Sequence, residues 1–229
     1  MLTARTMRWL AWTGPAFAVL FAVVVFALQG STPGEKDSAA QVLDYYNSHQ
    51  GRTLTSVFLS PLAATLLVLF FSHVRAAARE RDASGGAGPT VMFGGAVLWA
   101  SGLLFGSTLD LALVSSSDNT QPLVAKTLSV LSTSVWIPFI AGIAITMVGA
   151  ALAVLSSRIL PSWLGWVALV AGVASLIGPG GFLGFFVGPL WMLVAGVMLG
   201  LRSTATTTPT PTAQGEPPQP RTAPTTQPQ

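Results

Sequence analysis

Apolar residues in this chain fall into long, nearly unbroken runs, and six of these are long enough to cross a hydrocarbon core of about 30 Å. The runs lie at about 9–28, 53–74, 91–114, 127–155, 163–177 and 182–201, separated by short polar or Gly/Pro-rich links. Runs of that length require helices, because only a helix satisfies its own backbone groups in lipid. The pattern predicts an all-α fold: a polytopic membrane bundle of six transmembrane helices with a short outer amphipathic helix and a disordered C-terminal tail.

The first run follows Arg5 and Arg8, a basic start that a secretory signal peptide would share. Its apolar core is too long for that reading, and Ala27-Leu28-Gln29 lacks a small-x-small cleavage site, so an uncleaved signal-anchor is expected. Between the first two runs, Ser38 and Gln41 form a capping-box pair and Gly51 suits a helix end. Ala39, Val42, Leu43 and Tyr46 recur at helical spacing between them, which predicts the amphipathic helix lying on the membrane surface or capping the bundle. Tyr45 and Tyr46 suit an interface.

Apolar character in the fourth run extends from Leu123 to Leu155, roughly 50 Å as one helix at 1.5 Å per residue. Its first part carries Lys126, Thr127, Ser129, Ser132, Thr133 and Ser134 and is expected to protrude or pack inside, with a kink at Pro138. The GPGG turn separates the last two runs as a hairpin. From Arg202 onward the chain holds seven Pro and nine Thr without hydrophobic period, so residues 202–229 should form a disordered tail.

Charge sharpens this picture. Only 8% of the 229 residues are charged against 51% hydrophobic, far from the roughly 25% charged of soluble domains. With the N-terminus inside, Arg5, Arg8, Arg75, Arg79, Arg81, Arg158, Arg202 and Arg221 fall on the inner side, and Lys36, Arg52 and Lys126 on the outer. That bias predicts cytoplasmic termini in the cell membrane. It also accounts for the net charge of +3 without nucleic acid.

Candidate chemistry is sparse. No cysteine is present, which removes disulfides, thiolate metal sites and thiol nucleophiles. Asp110 is the single carboxylate within an expected span, where a charge costs about 2.5–3.5 kcal/mol on insertion scales and marks either a functional group or a wet interfacial one. Tyr45, Tyr46 and His49 are the other polar candidates on the outer side. His49 and His73 bracket the second run, roughly 36 Å apart on a continuous helix, and cannot share an ion. Three GxxxG pairs, Gly102–Gly106, Gly184–Gly188 and Gly196–Gly200, suit close helix packing, chiefly within one chain. GPGGFLGFFVGP lacks the lysine and the preceding strand of a phosphate loop. Pro217-Pro218-Gln219-Pro220 fits a PxxP pattern in what reads as a spacer.

The segments AAQVLDYYNSHQGR and RILPSWLGWVALVAGVASLIGPGGFLG, the second with its Leu-Pro-x-Trp-Leu-Gly-Trp start, resemble a group of actinobacterial integral membrane proteins. The resemblance covers about residues 5–202 and rests on Tyr45, Tyr46, His49, Leu160, Pro161, Trp163 and Trp166. It implies a six-span helical fold in the cytoplasmic membrane and brings no activity, because that domain has none assigned. The sequence therefore predicts a non-enzymatic membrane protein of structural or accessory role, without cofactor. Its partners are the lipid bilayer and a further copy or another membrane protein. The alternative is a small-solute or ion transporter or channel that uses a polar cavity near Asp110 and the Pro138 kink.

Overall fold

The computed structural model describes residues 4–29, 33, 37–81, 86–116, 122–177 and 181–205, and every regular element among them is helical. Helix α1 (Ala4–Ala22) runs into a π-helical segment, Val23–Gln29. There follow α2 (Ala39–Ser48), α3 (Gln50–Arg81), α4 (Gly88–Ser116), α5 (Pro122–Ser134), α6 (Trp136–Ser157), α7 (Ser162–Ser175) and α8 (Gly181–Ala205). Five stretches are long and apolar enough to cross a membrane: Trp9–Leu28, Gln50–Arg81, Gly88–Ser115, Leu123–Ser157 and Phe182–Arg202. The tail from residue 206, with its PxxP pattern, lies outside the described residues.

The expected fifth run falls short. Helix α7 has 14 residues, about 21 Å, because Pro161 fixes its start and the helix ends ahead of the GPGG turn. It lies antiparallel along α6, with Gly165 against Leu155 and Gly172 against Val148, and stops about one-third short of the start of α6. The C-terminal end of α8 returns to the start of α7, where the Arg202 Nη1 donates to the Ile159 carbonyl at 2.6 Å. Gly88 abuts Ala153 at the same end, and Arg79 Nη2 donates to Thr90 Oγ1 at 2.9 Å. The α3–α4 turn, the α6–α7 link and the end of α8 thus share one end of the bundle, and their arginines share it with them.

Helices α4 and α6 form the tightest pair. Counted in opposite directions, Gly88 meets Ala153, Gly149 meets Met92, Gly95 meets Thr146, Gly142 meets Trp99 and Gly102 meets Phe139. A methyl group at Gly95, Gly142 or Gly149 would overlap the facing backbone. The glycines recur every seven residues, two helical turns, so each helix presents a bare stripe to the other. In lipid, where no hydrophobic drive pulls helices together, such close approach supplies the packing. The GxxxG glycines are also used internally for the most part: Gly196 and Gly200 receive Pro15 and Trp12 of α1, Gly184 faces Ser175, and Gly188 faces Trp99. Gly106 is different, with open space over its Cα.

Around this pair the main core holds Phe17, Phe70, Phe71, Trp99, Met147 and Trp191, all buried. Phe17 meets Trp99 edge-on at 5.6 Å, and Trp191 stacks on Phe71 at 6.3 Å while its Nε1 donates to the Leu164 carbonyl. A second, smaller core lies apart from it, built from Val42, Tyr46, Leu113, Val114 and Ala125. It joins α2 to α5 and to the end of α4.

The disturbance expected of Pro138 in the fourth run falls one turn upstream, at Val135, whose backbone stays in the right-handed helical region. Pro138 has no N–H for the Ser134 carbonyl, and its ring crowds that group, so α5 ends at Ser134. Pro138 then occupies the first turn of α6, where its missing donor is not needed. The Val135 N–H is shared between the Leu131 and Ser132 carbonyls at 3.2 and 3.3 Å. Helix α2 begins as the capping box requires: Ser38 Oγ accepts from the Gln41 N–H at 3.3 Å and the Gln41 Oε1 accepts from the Ser38 N–H at 2.7 Å. Its end, however, is His49, not Gly51, which sits exposed in the first turn of α3. The His49 N–H and Nδ1 both lie 3.0 Å from the Tyr45 carbonyl and close the helix there.

Replacing Gly149 by Leu should overpack the α4–α6 contact and cost about 1–3 kcal/mol, read as a lower unfolding temperature of the detergent-purified chain. Gly94→Leu, on the open side of α4, should leave that temperature unchanged or raise it.

Candidate functional site

The end of the bundle covered by α2 and α5 contains a cavity of about 600 Å³. Its wall on α4 is one helical stripe, Gly102, Leu103, Gly106, Ser107 and Asp110, at spacings of three and four. Along the helix axis this stripe extends about 12 Å, from near the middle of α4 to within two turns of its end. Helix α5 presents Ser129 and Ser132, three residues apart and so on one face, and α3 presents Ser60. The π-helical segment turns Val24 and Val25 to the same space. Helices α6 and α8 close it with aromatic rings: Trp136 lies 5.6, 5.3 and 5.3 Å from Phe139, Phe182 and Phe185. The cavity therefore has a hydroxyl-and-carboxyl end and an aromatic end.

Asp110 is the centre of the polar end. Ser132 Oγ donates to its Oδ1 at 3.3 Å, and the Tyr46 hydroxyl of α2 hydrogen-bonds the same carboxyl. Burial pushes the Tyr46 phenol far above its usual pKa, and the neighbouring Asp110 charge and Tyr45 add to the shift. Tyr46 thus stays a protonated donor across the physiological range. The carboxyl of α4 is thus hydrogen-bonded to both α2 and α5, beside the small core in which Leu113 and Val114 already pack on Val42, Tyr46 and Ala125. Other cavity hydroxyls are spent on their own helices: Ser107 Oγ donates to the Leu103 carbonyl and Ser60 Oγ to that of Ser56, each at 2.9 Å.

Of the four polar candidates, the fold brings Asp110 and Tyr46 together in the cavity, while Tyr45, edge-on to Tyr46 at 5.4 Å, and His49 lie beside it without lining it. Tyr45 stacks on His49 at 4.4 Å, and His49 Nδ1 contacts Ser48 Oγ and the Tyr45 carbonyl, so both serve the α2–α3 junction. Pro138 is exposed on the outer face of α6 and does not line the cavity; its influence arrives through the break at Val135, which does. Ser129 and Ser132, in the polar first part of the fourth run, line the cavity with Asp110, whereas Gly106 and the ring cluster about Trp136 carry no signal of a site in the sequence. The serine pair at i and i+3 beside an intramembrane aspartate was the signal present. His73 is buried in α3 with Nδ1 unpartnered, on a different stretch of the helix from His49. Among the described residues, no three His, Asp or Glu side chains converge where a metal ion could sit.

The described chain thus defines a class: an all-helical protein with several helices able to cross a membrane and a pocket between them. No family model, curated protein or solved structure matches it.

An alkaline spectrophotometric titration in a Tyr45→Phe background isolates Tyr46, since the chain has two tyrosines. Its ionisation should be absent at the ordinary phenol pKa of about 10 and appear only with unfolding. The sign follows from the raised pKa: the buried neutral phenol contributes stability below the unfolded value, and this is lost as pH rises past it.

Proposed function

We propose that the chain is a polytopic integral membrane protein without enzymatic activity, accessory in role, that works by holding a small molecule in the cavity beside Asp110. The observation that carries this reading is the cavity itself. Its size falls in the range of roughly 300–1,000 Å³ typical of small-molecule pockets, and it is largely apolar with a few convergent polar groups. A chain built only for packing would fill such a space, as it does elsewhere along α4. Instead Gly106 leaves it open where any side chain would fit.

Placement in the cell membrane with both termini inside is part of the proposal. Its support is the gathering of Arg79, Arg158 and Arg202 at the end shared by the α3–α4 turn, the α6–α7 link and the end of α8. A sixth crossing by α7 and α8 as a hairpin is consistent with that shared end; the short α7 would need a locally thinned bilayer or neighbouring headgroups. The likeness of the chain to the actinobacterial membrane group belongs to the same proposal.

Transport of a small solute is the second reading, favoured by one feature: the polar half of the fourth run faces Asp110 across the cavity. The other half of the bundle is filled by Phe17, Phe70, Trp99 and Trp191, so passage would require α4 and its neighbours to part.

Gly106→Leu places its Cβ in open space with the side chain in the cavity, and it provides the test. Native mass spectrometry of the full chain should find a bound small molecule on wild type that Gly106→Leu lacks, at equal thermal stability. Identical spectra, with no bound species on either, would remove the binding reading. Solute flux into proteoliposomes that Asp110→Asn abolishes would move the protein to the transport class.

A further inference from the structure

The chemistry of the cavity says which small molecule it suits. We infer that it is a site for an organic ammonium ion carried on an apolar body, an inference that rests on the binding role proposed above. Among the described residues, its lining holds one carboxylate, Asp110, and no Lys, Arg or His. A carboxylate drawn out of water is costly unless a positive charge or several donors answer it. Here Ser132 and Tyr46 supply two hydrogen bonds, and an ionised carboxylate has about four acceptor sites. Room for a further donor lies on the cavity side. An anionic ligand would set like charge against Asp110, and a purely apolar one would strip its remaining water without replacement.

The opposite wall carries the second half of the argument. Trp136 sits within 5.3–5.6 Å of Phe139, Phe182 and Phe185, so the ligand body meets several ring faces and edges in one place. Ring faces attract cations, tryptophan most strongly. A bare metal ion fits poorly: hard cations take six or more oxygens at short range, whereas the one carboxylate and the hydroxyls of Tyr46, Ser60, Ser107, Ser129 and Ser132 are spread over four helices around a 600 Å³ space. An ammonium group matches the one charge, and its alkyl or aryl substituent matches the aromatic and aliphatic remainder. The source of such a group is either a soluble amine or an amine-bearing lipid headgroup.

The test uses the full chain in phosphatidylglycerol nanodiscs and two probes: 4-phenylbutyltrimethylammonium and its uncharged isostere with carbon in place of nitrogen. Affinities are read from ligand-dependent thermal stabilisation. The ammonium should bind about tenfold more tightly than the isostere. Asp110→Asn should erase that preference while retaining the isostere's affinity, and Gly106→Leu should weaken both probes. Trp136→Leu, which keeps the carboxylate, should weaken both probes alike, and the wild-type comparison of the two probes decides the charge preference even where Asp110→Asn does not fold. Competition by added ethanolamine lipid would identify the source as a headgroup; its absence would identify a soluble amine. Equal affinity for the two probes in wild type would overturn the ammonium assignment and leave the cavity-binding role standing. Failure of wild type to bind either probe would sink both.

Discussion

Everything else in this bundle is arranged around the contact between α4 and α6, where two backbones approach until no side chain fits between them. Gly95, Gly142 and Gly149 make that approach sterically feasible, and each admits a facing backbone atom where a methyl would stand. In water, burial would reward almost any apolar pair; in lipid the surroundings are as apolar as the side chains, and close packing must supply the attraction. The large side chains displaced from this seam, Trp99 and Met92 among them, then lie on its flanks and build the main core with α1, α3 and α8. The remaining helices are positioned by what that pair leaves exposed.

The seam also explains where the cavity sits. At Gly102 it still meets Phe139, the first turn of α6. Beyond that point α6 gives way at Val135 to α5, which meets α4 again at Asp110, Leu113 and Val114. The volume between α5 and α4 is not refilled at Gly106, where Ser129, Ser132 and Val135 face the cavity. Two local features, one proline and one glycine, therefore create the space: Pro138 ends the partner helix, and Gly106 declines to occupy what is left.

The sequence made the helices legible but not their partners. The first run was readable to the residue as Trp9–Leu28 because its apolar composition changes abruptly at both ends. The capping box at Ser38 and Gln41 was readable because it is purely local. Pro138 was recognised, but its effect lies three to four residues upstream, where its missing hydrogen bond falls. The seven-residue glycine repeat went unseen because close packing was sought at a spacing of four. Helix α7 was counted as a full span from hydropathy alone, although helical rise limits its 14 residues. Asp110 stood out as an anomaly of composition, while Tyr46, from a different element, became its partner only through the folding of α2 over the bundle's end. No one-dimensional period connects them.

The two cores are joined on the α5 side through Val135, and the small one holds a handful of buried side chains where the large one holds many rings and methyls. Protection against local opening scales with such buried apolar contact. The chain therefore consists of a deep cooperative unit and a shallow one, with Asp110 at the seam between them. The shallow unit rests on Val42, Tyr46, Leu113, Val114 and Ala125, so a substitution among these few side chains weighs on the cover over Asp110 more than on the bundle beneath it.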